Sequence, residues 1–335
     1  MTKTYTKARF WKCALQVNPY TYLAYRGEAQ RLTEDEYNQQ LLQVCREENI
    51  KVLGIADHGN VDGIDAIRSV MEPADILVFP GFEIASTEKA HFVCLFPENT
   101  SKDQLNRYLG SLDITDSANG VFPSSLGGND LLLKINELGG FCYAAHCTDD
   151  KGILKHKLVH VWKNDLLKAA QIPATLDKLT TVENNGYRQI LMNKNREYIR
   201  ETPVAIINAK DVAKPETLKN PKASCLIKMT KPGFEAFKLA FQDPESRVRL
   251  NSDISEQYYS RIESLSITGG YLDGVHINFS EHLNSVIGGR GQENQPCWNV
   301  FVIHWSWILW VRAHTNNIWK SSRKILANPK VELRW

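Results

Sequence analysis

No two cysteines in this chain stand in a C-x-x-C spacing, and the seven cysteines are scattered and odd in number. That argues against a thiolate zinc site or a disulfide framework and for reduced thiols. Cys13, Cys94 and Cys142 flank apolar residues and read as core. Long apolar runs are missing too: none approaches the roughly 20 residues of a membrane-crossing helix, so no membrane partner is expected. The opening MTKTYTKARFWKC has no apolar signal core, and a cytoplasmic location is the expectation. Nor is there a surplus of charge. With 40 Lys+Arg against 38 Asp+Glu the net charge is +2, so bulk electrostatics announce neither nucleic acid nor lipid. His156 and His160 have i, i+4 spacing, but no acidic partner completes H-E-x-x-H, and they read as surface groups.

What is present is a core-forming α/β rhythm. The chain has 335 residues and 43% hydrophobic content, enough for one large domain or two smaller ones. RLTEDEYNQQLLQVCREENI predicts a helix opened by a Thr33/Glu36 capping box, with Leu41, Leu42 and Cys45 inward. KVLGIAD, DILVFPGFEIA, HFVCLFP, GGFCYAAH, TTVENN and PVAIINAKD read as strands, with helices at GNDLLLKINELG and YRQILMNKNREYI between some of them. Continuous apolar strands alternating with helices predict a mainly parallel sheet covered on both faces, as an open α/β fold or a (β/α) barrel. Farther on, RIESLSITGGYLDGVHINFSEHLNSVIGG reads as short strands joined by glycine turns.

In such folds functional groups gather at the carboxyl ends of strands. Here the strand ends carry Asp57 and His58, Glu83, His146 and Asp211, and His91 opens a strand eight residues past Glu83. Imidazoles and carboxylates meeting at one rim are the ligand set of zinc, manganese or iron, which activate water for phosphoester hydrolysis. The competing structural reading makes Asp57 and Asp211 turn residues, His58 and His146 core imidazoles and Glu83 an ion-pair partner.

The order ADHGNVDG, PGFEIA with a following histidine, YAAH and INAKD resembles the successive motifs of the PHP (polymerase and histidinol phosphatase) domain, a distorted barrel of metal-dependent phosphoesterases and nucleases. The longer arrangement is similar to TrlF-like proteins, in which that domain precedes an SMC/RecF-like ATPase linked to DNA repair or phage defence. The resemblance implies an α/β fold, a PHP-like distorted (β/α) barrel followed by a small β-rich partial ATPase lobe. It places the barrel at residues 8–225, a connecting region at 226–262 and the ATPase start at 263–291. Where the family carries D-L-H-x-H-T, this chain reads ALQVNP, with Gln16 and Asn18 in place of two histidines, and Ala213 stands where a last histidine belongs. Glu83, His91 and His146 remain to hold one divalent ion. Two readings follow: a degenerate, regulatory or scaffold domain, and an active phosphoesterase acting on DNA or a small phosphoester.

NSVIGGRGQENQPCW begins as a phosphate-binding loop G-x-x-x-x-G-K-[ST] and leaves the pattern after Gly288, Gly289, Arg290 and Gly291. One inserted base allows the following codons to read G-T-G-K-S-T, so residues 292–335 are expected to be an out-of-register tail, exposing Trp298, Trp305, Trp307 and Trp310. Without the loop's lysine and Ser/Thr, ATP binding is not expected here. ATP and DNA are the ligands that the resemblance assigns to full-length relatives.

Overall fold

The computed structural model describes residues 8–25, 32–114, 124–172, 182–208, 212–251, 262–269, 273–279 and 330–334. The chain divides into two compact units, Phe10–Ser255 and a second composed of Met1–Arg9 with Glu256–Trp335. In the larger unit the elements run β1 (Arg9–Val17), α1 (Tyr20–Tyr25), α2 (Glu34–Glu47), β2 (Ile50–His58), α3 (Ile64–Met71), β3 (Leu77–Ala85), β4 (His91–Leu95), α4 (Lys102–Ser111) and α5 (Gly128–Glu137). They continue with β5 (Phe141–Ala144), α6 (Val159–Trp162), β6 (Ala169–Gln171), α7 (Val182–Leu191), β7 (Ala205–Ile207), β8 (Cys225–Met229), α8 (Phe234–Ala240), α9 (Pro244–Arg247) and β9 (Val248–Leu250).

Nine strands form one sheet in the order β7-β6-β5-β4-β3-β2-β1-β8-β9. The two edge strands β7 and β9 lie against each other, so the sheet curls into a nearly closed barrel and meets the α/β expectation. The sheet is mixed rather than mainly parallel. β1–β2–β3 and β5–β6–β7 are parallel runs, and β4 is antiparallel to both its neighbours. The cause is chain length: the short 86–90 connection cannot carry a parallel crossover, which needs about a dozen residues, and it closes a hairpin instead. A side chain at Gly81 would bring a Cβ to 2.1 Å from the Cys94 carbonyl oxygen, so glycine is what lets β3 and β4 lie this close.

The 226–251 stretch, expected as a connecting region, contributes β8 and β9 to this sheet. Helix α2 starts as its sequence predicts: the Thr33 hydroxyl accepts from the Glu36 N–H and the Glu36 carboxylate accepts from the Thr33 N–H. Leu41, Leu42 and Cys45 are buried beneath it. Two expectations are corrected. Val182–Asn185 of TTVENN opens helix α7, and the strand in this part of the chain is the three-residue β6 upstream, while the expected helix at YRQILMNKNREYI has ended by Leu191. A three-residue buried strand is too short to show any periodicity. Cys13, Cys45, Cys94, Cys142, Cys147 and Cys225 are all buried with free thiols, and burial pushes Cys45 and Cys225 up to about 12. They are packing groups.

In the second unit β10 (Ser264–Thr268) pairs antiparallel with β11 (His276–Asn278) on one side and β12 (Lys330–Arg334) on the other. This is the small sheet expected after the barrel; its third strand comes from the stretch read as an out-of-register tail. Among the described residues, no helix is long and apolar enough to cross a membrane.

Candidate functional site

The carboxyl ends of β1, β2, β3, β5, β6 and β7 face one rim of the barrel, and β4 reaches the same rim with its amino end because it runs the other way. Register does the positioning. His58 pairs with Glu83 across β2 and β3, and the hairpin sets Ala85 opposite His91. The backbone of His91 is held on both sides, its N–H donating to Lys151 O and its carbonyl accepting from Ala145 N–H.

Glu83 is the centre. It is 1% exposed, and each of its carboxylate oxygens has its own neighbours. Oε1 lies 2.6 Å from His91 Nδ1 and 3.9 Å from His146 Nε2. Oε2 accepts from Gln16 Nε2 at 2.5 Å and lies 3.6 Å from His58 Nε2. Burial alone would raise this acid, but the bond to His91 and the fields of His58, His146 and His91 together hold it down at about 2, so Glu83 is a carboxylate at neutral pH. His146 is also shifted down: desolvation, outweighing the pull of Glu83, favours its neutral form. Its backbone is left-handed, with φ of 33°, and the N–H accepted by Gln171 Oε1 fixes it there. His58 stacks on Tyr22, ring centroids 5.6 Å apart and 15° between planes.

One ligand atom each from His58, Glu83 and His91 lies within 4.8 Å of the other two. Two imidazoles and one anionic carboxylate, partly buried and pre-positioned by strand register, fit one divalent ion.

No family model and no curated protein matches the chain. Among solved structures, endonuclease Q in complex with a 27-mer duplex bearing an abasic lesion is 10% identical, with a TM-score of 0.47 over 72% of this chain and 58% of that one. The lesion-specific endonuclease Q from Pyrococcus furiosus is also 10% identical, at 0.48 over 71% and 57%. A two-domain protein from Bacteroides vulgatus, described as containing a predicted PHP-like metal-dependent phosphoesterase, is 11% identical, at 0.44 over 83% and 89%. This chain therefore spans less than two thirds of either endonuclease Q chain. Identities and TM-scores this low leave the chemistry to the site itself.

Of the residues singled out in the sequence, His58, Glu83, His91 and His146 come together. Asp57 stands next to them but serves the turn after β2, its Oδ1 accepting from the His58 N–H at 2.7 Å and its Oδ2 from Asn60 Nδ2 at 3.2 Å. Asp211, Gly288, Gly289, Arg290 and Gly291 lie outside the described residues. His156 and His160 are exposed, as expected, and His160 Nε2 lies 3.9 Å from Glu88. Two rim residues escaped sequence reasoning. Gln171 ends β6 and binds the backbone of His146; Asn208 follows β7, buried. Asn208 stood in the very strand-end position that drew attention to Glu83 and His146, but an amide there carries no signal of charge.

Proposed function

We propose that the rim binds one divalent metal ion and catalyses phosphoester hydrolysis on a PHP-like barrel. The observation that carries this is the convergence of His58, Glu83 and His91 ligand atoms within 4.8 Å. The order of sequence motifs supports the same reading. A bound zinc, manganese or iron would supply positive charge against phosphoryl oxygens and make water beside it more acidic. Glu83 provides the fixed negative charge that attracts the ion, and His91, held through its backbone, fixes one side of the ligand set. His146, neutral and part-exposed, takes or returns a proton at its ring nitrogen during the exchange of water for an alcohol. DNA or a small phosphoester is the substrate class.

A second reading is a non-catalytic domain that regulates or positions an ATPase. The observation in its favour is the replacement of potential anchors by the buried, uncharged Gln16 and Asn18. In both readings the PHP-like domain extends through β9 to Leu250, the rest of the expected 226–262 connection leads to the proposed start of an SMC/RecF-like lobe at 263–291, and the reading of 292–335 as out of register has to accommodate the pairing of β12 with β10. The coding DNA past Gly291 tests that last point: an ATPase frame restored by one base supports it, and none in either neighbouring phase removes it.

The catalytic reading is tested by elemental analysis of purified protein and by hydrolysis of p-nitrophenyl phosphate and its bis-ester with added Mn²⁺, Zn²⁺ or Fe²⁺. One equivalent of ion and turnover that is lost in Glu83→Gln are expected. Ion binding with no turnover of either ester leaves the regulatory reading.

A further inference from the structure

We infer that Gln16 and Asn208 are ligand-binding carboxamides that receive a hydroxyl group of the substrate, so that this site prefers hydroxyl-bearing phosphate monoesters. The inference rests on the phosphoesterase reading and deepens it.

Gln16 sits at the end of β1 with no exposed surface. Its amide nitrogen is committed to Glu83 Oε2. That bond fixes the orientation of the amide and leaves the carbonyl oxygen Oε1 as an acceptor, buried and without a hydrogen-bond partner. Asn208 is 1% exposed, and neither its Nδ2 nor its Oδ1 has a partner. Among the described residues it is the one side chain with both polar atoms left so.

The fold puts these two residues on the same rim. Ile207, just before Asn208, pairs with Gln171, whose side chain holds His146. Four residues after Asn208 the chain reaches Val212, which hydrogen-bonds to Gln16 O and to the Asn18 N–H. Asn208 thus lies on the His146 side of the rim and Val212 on the Gln16 side.

An unpaired buried polar group costs stability, and native proteins keep few of them. Two on the rim that carries the candidate ion site call for a ligand of complementary chemistry. Oxygens of a phosphodiester are acceptors only and would meet Gln16 Oε1 with repulsion. A cationic donor would face the divalent ion nearby. A hydroxyl is neutral and donates to Gln16 Oε1, and hydroxyls both donate and accept, which matches the two free valences of Asn208. The same logic makes discrimination strong, because a ligand lacking the hydroxyl leaves buried groups unpaired.

The test uses the full chain loaded with Mn²⁺ and two phosphonates whose C–P bond resists hydrolysis, 3,4-dihydroxybutylphosphonate and butylphosphonate. Calorimetry should show the dihydroxy compound binding at least about tenfold more tightly. Gln16→Met should remove that preference, the dihydroxy compound then binding no more tightly than butylphosphonate. Asn208→Leu should weaken the preference and raise the melting temperature of the unliganded protein by a few degrees, the reverse of what a structurally required asparagine would do. Equal binding of both compounds by the unmodified protein overturns the inference. So does a Gln16→Met variant that keeps the preference, or an Asn208→Leu variant that melts lower and still discriminates. If Mn²⁺ binds and neither phosphonate does, the phosphoester reading falls and takes this inference with it.

Discussion

The rim of the barrel has two unlike halves. On β2, β3, β4 and β5 the strand ends carry ionisable groups, His58, Glu83, His91 and His146, and these satisfy one another around a single carboxylate. On β1, β6 and β7 the corresponding places carry carboxamides: Gln171 holds the His146 N–H, Gln16 gives its amide nitrogen to Glu83 and keeps its carbonyl oxygen unpartnered, and Asn208 has neither polar atom bonded. The charged half sets one buried carboxylate among three imidazoles, an arrangement that suits a cation. The amide half is incomplete and wants a neutral polar group. On the proposed reading one half binds the ion and the other reads the substrate hydroxyl, and Glu83 Oε2, which accepts from Gln16 and lies 3.6 Å from His58 Nε2, is where they meet.

The sharpest way to break this comparison is Glu83→Gln, which turns the charged half into more amide. Hydrolysis should fall about 1,000-fold, the several kcal/mol that charge stabilisation by an ion supplies. The stabilisation of roughly 2.7 kcal/mol expected from Mn²⁺ at a hundred times its dissociation constant should vanish from thermal melts. If Glu83→Gln binds Mn²⁺ like the unmodified protein, the two halves do not differ in function. Next in size is a change that should touch neither half: Leu41→Ala under helix α2 should cost about 2–5 kcal/mol in urea unfolding, with Mn²⁺ affinity unaltered in the folded protein. A change in affinity would show that the rim depends on the outer helical layer. His146→Asn keeps a polar side chain near Glu83 but removes the titratable ring to which the proposed mechanism gives the proton transfer. Turnover should drop at least about tenfold with Mn²⁺ affinity changed much less; an equal fall in both would make His146 an ion ligand. The smallest effect belongs to Thr33→Ala, which removes the cap of α2 at a cost of about 1 kcal/mol, visible as a lower melting temperature with no change at the rim.

Much of this architecture is legible in the letters. β2, β3 and α2 announce themselves because apolar runs are long and the Thr33/Glu36 box marks a helix start unambiguously. Glu83 and His91 could be placed together because eight residues of chain cannot carry them far apart. The antiparallel direction of β4 was also encoded, in the shortness of the 86–90 connection, but apolar pattern is blind to strand direction. β6 is hidden in the sequence because three buried residues show no period, and TTVENN reads as a strand because β-branched residues favour strands. On the site, the ionisable half was readable and the amide half was not. A glutamine or asparagine at a strand end is an ordinary letter until burial shows that its atoms have no partner.

His146 holds one more consequence. Its left-handed backbone is a shape that suits glycine and is uncommon for a residue with a side chain. A chain selected for durability alone would relax that joint with glycine and lose the ring. Keeping an imidazole on so tight a bend fixes where the ring can swing, so the hinge that strains the backbone is also what sets the ring 3.9 Å from the Glu83 carboxylate.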